Sequence, residues 1–318
     1  MTDTIRPKSI EQFQGALVGL AVGDALGATL EFQPQGSFQP INDMLGGGPF
    51  RLDPGQWTDD TSMALCLAQS LIETNGFNPR DQLQRYVDWW KHGKLSSIGR
   101  CFDIGNTCRA ALARFLHEPE DYPGSSHPAA AGNGSLMRLA PIPLFFSSDP
   151  RRAIEFAALG SRTTHAAVEA VDACRYFSGL ILGALRGAPR DKLLAPFYSP
   201  VPGLWDEEPL APKIAEIAAG SFLKKQPPMI RGTGYVVDSL EASLWAFAHG
   251  DSFRDAVLLA VNLGDDSDTT GAILGQLAGT YYGIESIPQT WRSRITMIDL
   301  IVSFADRIHR LSRFDDPA

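Results

Sequence analysis

Nothing in this chain supports a disulfide framework. Its four cysteines, Cys66, Cys101, Cys108 and Cys174, include no Cys-x-x-Cys pair. The six histidines form no His-Glu-x-x-His or His-x-x-x-His cluster, so a zinc site of the usual kind is not expected. Positive charge is also in short supply. A net charge of −8 argues against a general nucleic-acid or anionic-membrane binder, because both partners are repelled at long range. The longest apolar stretch, 13–32, is interrupted by Asp24 and ends at Glu31, which makes it a poor membrane span. The opening "MTDTIRPKSIEQF" mixes acids and bases and lacks the basic start of a secretion signal, so a cytoplasmic location is expected. Strand-like alternation is rare.

What is present is helix signal in quantity. The 318 residues are 44% hydrophobic and 20% charged, as in a globular protein with a sizeable core. Glycines recur every fourth residue at 15, 19, 23 and 27, again at 179, 183 and 187, and again at 271, 275, 279 and 283. That spacing lines one helical face, and each interior glycine costs roughly 0.5–1 kcal/mol against alanine. Close helix–helix approach is the simplest compensation. The expected fold is an all-α bundle of a single domain over 1–318. "TDDTSMALCLAQSLIETNG" and "SDTTGAILGQLAGTYYG" read as capped helices, stopping at Asn75-Gly76 and at Gly283. "RSRITMIDLIVSFADRIHRL" reads as an amphipathic last helix with Ile295, Ile298, Val302, Ala305 and Ile308 on one side. By contrast, 188–230 carries eight prolines and reads as an irregular surface excursion, a candidate site rim.

Two acidic clusters stand out: "WTDDTSM" at 57–63 and "NLGDDSDTTG" at 262–271. Either one alone is explained by helix N-capping, since aspartate and threonine are favoured there and the helix dipole welcomes negative charge. Two such clusters, each joining aspartates to threonine, suit a hard divalent cation such as Mg²⁺ or Mn²⁺. The second cluster is no EF-hand, because Leu277 stands at the twelfth position where a bidentate glutamate is required. It also fits the Asp-x-Asp-x-Thr nucleophile signature of haloacid-dehalogenase phosphatases, but lies far from the N-terminal strand where that family carries it. "AGNGS" at 131–135 is a glycine-rich loop of the kind that can hold a pyrophosphate on backbone N–H groups, although a plain turn explains it equally well. "DIGNTCR" reads as helical, which would put Asp103 and Asn106 three apart on one face.

Six blocks in order give a resemblance: "GLAVGDALGATLEF", "TDDTSMAL", "DIGNTCRAAL", "AGNGSLMRLAP", "TTHAAVEAVDAC" and "GDDSDTTGAILGQLAGTYYG". From about residue 11 to 290 the chain resembles the ADP-ribosylglycohydrolase family, most of all its dinitrogenase-reductase-activating members. The resemblance implies an all-α fold with two divalent ions, Mg²⁺ or Mn²⁺. It also implies hydrolysis of the N-glycosidic bond joining ADP-ribose to arginine in a modified protein, with ADP-ribose as product. Dinitrogenase reductase would be the target where the organism fixes nitrogen. Matching positions imply Thr58, Asp59, Asp60, Asp266, Asp268 and Thr269 as metal ligands, with Asp265 outside that set. Glu31, Asp60 and Asp103 are the implied catalytic group, Asp103 as the partner of the guanidinium. Asn106, Gly132, Asn133, Gly134, Ser135, His165 and Tyr235 are implied substrate contacts. Cleavage of serine-linked or other ADP-ribose derivatives, and a catalytically silent binding or structural relative, stay open as alternatives.

Overall fold

The computed structural model describes residues 9–312. Among them the chain forms fifteen α-helices and three isolated β-bridges, with no longer strand. In order these are α1 (Ile10–Gly27), α2 (Asp59–Thr74), α3 (Pro79–His92), α4 (Asn106–His117), α5 (Pro141–Phe145), α6 (Pro150–Arg162), α7 (Val168–Leu185) and α8 (Arg190–Leu193). There follow α9 (Leu204–Glu207), α10 (Pro212–Ala218), α11 (Val236–His249), α12 (Phe253–Val261), α13 (Ser267–Tyr282), α14 (Gln289–Arg292) and α15 (Ile298–Leu311). The expected all-α architecture holds.

Local chemistry sets the helix ends. Ser9 and Gln12 close a capping box on α1, with the Gln12 side chain accepting from the Ser9 N–H at 3.1 Å. Asn75, in the left-handed conformation, ends α2, and Gly283 follows α13.

The glycine spacing decides the centre of the fold. α1 and α13 run antiparallel in backbone contact. A Cβ added at Gly15, Gly19 or Gly23 would lie 2.1, 2.3 or 2.0 Å from the carbonyl oxygen of Gly279, Gly275 or Gly271, respectively. Any side chain larger than hydrogen would force the two helices apart. The same register carries Gly27, at the end of α1, onto the backbone of Ser267 and Asp268 at the start of α13. The third stripe behaves differently. Gly179 and Gly183 on α7 are met chiefly by Pro200, Tyr198 and Leu193 of the proline-rich segment, with Ile154 of α6 also near Gly179, and Gly187 is a turn residue with positive φ.

Two expectations need correction. The last helix begins only at Ile298, after Met297 in the left-handed conformation, so Ile295 lies before it. Its buried side is Ile301, Phe304, Ala305 and Ile308, while Ile298 and Val302 are only half-buried. The 188–230 segment folds into α8, α9, α10 and a 3₁₀ turn, and it buries Leu193, Leu204, Ile214, Ile217 and Phe222. It contributes no wall to the acidic cleft described next.

Candidate functional site

The α1–α13 contact brings three helix ends together. Glu31, four residues past α1, meets the start of α13, where Ser267 N–H donates to Glu31 Oε2 at 3.0 Å. Glu31, Asp266 and Asp268 each offer an oxygen within 4.8 Å of the others. The start of α2 completes the group with Thr58, Asp59 and Asp60, all buried. Thr269 and Thr58 both reach Asp60 Oδ2, at 3.5 and 3.1 Å.

Asp24 fixes α2 in place. Its carboxylate accepts from the Thr58 N–H and hydroxyl (2.8 and 2.9 Å) and from the Thr61 N–H and hydroxyl (3.0 and 2.6 Å). The Thr58 side chain makes no capping bond of its own, so Asp24 caps α2 from a neighbouring helix.

These carboxylates lack counter-charges. Among the described residues no lysine, arginine or histidine pairs with Glu31, Asp59, Asp60, Asp103, Asp266 or Asp268. Burial, followed by repulsion from Asp268, pushes Glu31 far above the usual carboxylate range. Burial also raises Asp59 and Asp60, with Asp103 adding to the first and Asp268 to the second. Asp268 is pushed up to about 7, by burial first, and Asp103 to about 9, by burial and then Asp268. Asp60 Oδ1 is buried with no hydrogen-bond partner. A set of hard oxygen donors with excess negative charge and one orphaned oxygen fits a divalent cation.

A cleft of about 600 Å³ opens over this group. Its floor includes Glu31, Asp59, Asp266, Asp268 and Thr269, and its walls include Asp103, Gly132, Gly134 and His165. Thr58 and Asp60 lie just beneath. A second cleft, of about 650 Å³, lies along α6 and α7. There Arg175 pairs with Asp172 at 2.9 Å and with Glu208 at 2.7 Å, so its central acids are compensated. The excess negative charge belongs to the first cleft.

Several residues are not placed as the sequence suggests. Asp103 is not helical: its φ is +59°, and α4 begins only at Asn106, so the two do not share a helix face. Asn106 stays on the cleft lining, exposed, and accepts from Arg109 Nη2 at 2.6 Å. Asn133 turns toward the acids and donates to Asp266 Oδ2 at 2.8 Å and to Ser239 at 2.9 Å. Ser135 points away from the cleft and accepts from the Ser161 hydroxyl at 2.8 Å. Tyr235 lies outside the cleft wall; its hydroxyl donates to Glu169 at 2.5 Å and accepts from Lys213 at 2.8 Å. Asp265 pairs with Arg231 at 3.0 Å, outside the acidic group, as expected. Asn106, Gly132, Asn133, Gly134 and His165 do line the cleft, and a Cβ on Gly134 would lie 2.9 Å from His165 Cε1. Asp24 and Arg138 were missed. The available signal was a single charge inside an apolar run, in "GLAVGDALG" and in "LMRLAPIPLF".

The chain is similar to known proteins along most of its length. A 40% identical relative over 309 residues, 97% of this chain and 82% of its own, is named ADP-ribosylarginine hydrolase Tri1, from Serratia proteamaculans (strain 568). The protein of that name in Pseudomonas putida (strain GB-1) is 42% identical over 96% of this chain and 80% of its own. The ADP-ribosyl-[dinitrogen reductase] glycohydrolase of Rhodospirillum rubrum is 32% identical over 92% of both chains. A solved structure described as an ADP-ribosylglycohydrolase-related protein complex superposes with a TM-score of 0.84 at 42% identity, covering 96% of this chain and 99% of that one. The family model described as ADP-ribosylglycohydrolase matches residues 5–318, and on that match the chain belongs to the ADP-ribosylglycohydrolase family.

Proposed function

We propose that this chain hydrolyses the N-glycosidic bond between ADP-ribose and an arginine side chain of a modified protein, using two divalent ions, Mg²⁺ or Mn²⁺. The supporting observation is the uncompensated acidic floor beneath a cleft with a glycine-lined wall. The relatives named as arginine-directed hydrolases point the same way.

In this reading Thr58, Asp59, Asp60, Asp266, Asp268 and Thr269 hold the ions. When bound, the ions supply charge stabilisation and orientation for the ribose oxygens beside the scissile bond. The protein's own groups do the rest. Gly132 and Gly134 let the backbone approach the diphosphate without any lysine, which reconciles an acidic protein with an acidic nucleotide. Asn133 contributes indirectly, tying the glycine loop to Asp266. Asp103 lines the cleft wall, and a carboxylate there matches the fork of donors on the guanidinium it would meet. Glu31 faces the cleft beside the acids and, once bound ions offset the burial and the neighbouring carboxylates that raise it, would be ionised and suited to take the proton of the attacking water. Positive charge that develops on the sugar as the C–N bond breaks is met by this ring of carboxylates.

The test is to incubate the protein with an ADP-ribosyl-arginine substrate and, separately, an ADP-ribosyl-serine substrate, each with Mn²⁺ or Mg²⁺. ADP-ribose release from arginine, with little from serine, is expected. Preference for serine would transfer the assignment to O-linked substrates. Release from neither, with metal bound, would mark a silent relative.

A further inference from the structure

Arg138 is the one fully buried arginine with no acidic partner among the described residues. Its exposure is 1%, and its guanidinium lies over the Tyr86 ring, 4.7 Å from the centroid. Removing a cation from water without a counter-ion is costly, so its remaining contacts must account for it. Arg138 Nη1 donates to the Gly134 carbonyl at 2.6 Å, inside the glycine loop. Nη2 donates to the Thr164 hydroxyl at 2.7 Å and, more weakly, to Thr163 at 3.4 Å. The Thr164 hydroxyl in turn lies 2.8 Å from His165 Nδ1.

The direction of this chain follows from what each group can do. A guanidinium only donates, so Thr164 accepts from it and keeps its own proton to give. The imidazole nitrogen at 2.8 Å is a far better acceptor than the nearby Cys108 sulfur. Nδ1 therefore accepts, and the single ring proton resides on Nε2. The Nε2 edge faces the cleft: a Cβ at Gly132 or Gly134 would lie 3.3 Å from Nε2. No described residue bonds to that nitrogen. Burial, and then the Arg138 cation, hold His165 down to about 3, which keeps the ring neutral.

We infer that Arg138 is a positioning residue that acts through Thr164 to lock neutral His165 as an Nε2–H donor aimed at an oxygen of the bound ADP-ribose, while pinning the glycine loop through Gly134. This rests on the ADP-ribose reading of the cleft only for the identity of the oxygen; the tautomer itself requires no ligand.

The experiment uses long-range ¹H–¹⁵N spectra of the histidine rings in the full chain, with His165 assigned by substitution, alongside KM and kcat for ADP-ribosyl-arginine. Wild-type His165 should show protonated Nε2 and bare Nδ1, unchanged across the neutral range. Thr164→Val keeps the shape but removes the hydroxyl, so it should lose the pure tautomer and raise KM about ten-fold, with kcat changing much less. Thr164→Ser, which restores a hydroxyl, should recover both. A wild-type ring protonated on Nδ1, or one that titrates near neutrality, overturns the inference even if Thr164→Val fails to fold. A Thr164→Val protein that keeps the wild-type tautomer overturns it too. The expected tautomer in a protein that cleaves no ADP-ribosyl bond supports the positioning role and counts only against the proposed reaction.

Discussion

The glycine contact between α1 and α13 makes a quantitative prediction. Consider Gly275→Ala. The new Cβ would lie 2.0 Å from the Gly19 carbonyl oxygen and 2.5 Å from its carbon, where real Cβ atoms essentially never come within 3.0 Å. The opposing atoms are backbone and cannot rotate away, so the helices must part by at least about 1 Å at that level. Overpacking of this kind typically costs about 1–3 kcal/mol, offset in part by alanine's helix advantage of about 0.5–1 kcal/mol. For a chain of this size the net cost corresponds to a Tm drop of roughly 1–4 °C. The same shift moves the start of α13 away from Glu31, and a misplacement of about 1 Å can cost roughly a hundred-fold in rate. Gly76→Ala is the control, since nothing lies within 4 Å of its added Cβ. The assay is a thermal melt and a turnover measurement on both variants at saturating metal. Equal Tm and equal turnover in the two would refute the claim that backbone contact, rather than helix pattern alone, sets the site.

Asp60→Asn should abolish turnover and weaken metal binding with the helical circular dichroism intact; near-normal turnover at limiting metal would remove the basis for an ion at Asp60. Gly134→Val drives a side chain against His165 Cε1 and Cys108 Sγ, 2.9 and 3.2 Å from its Cβ, so KM for nucleotide-bearing substrates should rise; unchanged kinetics would move the diphosphate elsewhere. Asp103→Asn should depress kcat/KM for ADP-ribosyl-arginine about ten- to a hundred-fold, yet barely change affinity for free ADP-ribose. An equal loss for both ligands would make Asp103 a support of the ribose or the ions. The pH response follows from the raised acids. Asp268 and Asp103 sit at about 7 and about 9 when folded, above the ordinary 3.8, so metal-free folded protein holds the extra protons. Their contribution to stability is complete only below the ordinary 3.8 and is lost progressively as pH rises from there through those values. The Tm of chelated protein should fall from about pH 4 to about pH 9, and the gain on adding Mn²⁺ should widen over the same range. A flat Tm in chelator would contradict the charge assignment.

The parts of this molecule legible in sequence are those governed by spacing. Gly15, Gly19, Gly23 and Gly27 against Gly271, Gly275 and Gly279 are a periodic signal with one physical meaning, and the helices they define are present. The acidic clusters at 58–60 and 266–268 sit at the helix starts where their composition put them, and the fold brings them to one floor. Direction was harder to read than location. Asn133, Ser135 and Tyr235 come from segments near the cleft, but tertiary partners (Asp266, Ser161 and Glu169) decide where their side chains go. Asp103 looked helical because "DIGNTCR" has apolar spacing, whereas its positive φ puts it in the left-handed region, in the loop ahead of α4. Ile295 failed as a helix residue because Met297 takes the left-handed conformation ahead of α15. Asp24 shows the limit most clearly. A carboxylate within an apolar helix has no local explanation, and its four bonds go to residues more than thirty positions away.

The central claim is that the acids at the three helix ends form a two-ion site on which hydrolysis depends. The direct measurement is calorimetric titration of chelator-stripped protein with Mn²⁺, run in parallel with ADP-ribosyl-arginine turnover at each metal concentration. The account predicts two ions per chain, no turnover in the stripped protein, and recovery that tracks occupancy. Full turnover without added metal, or binding that leaves turnover unchanged, would contradict it.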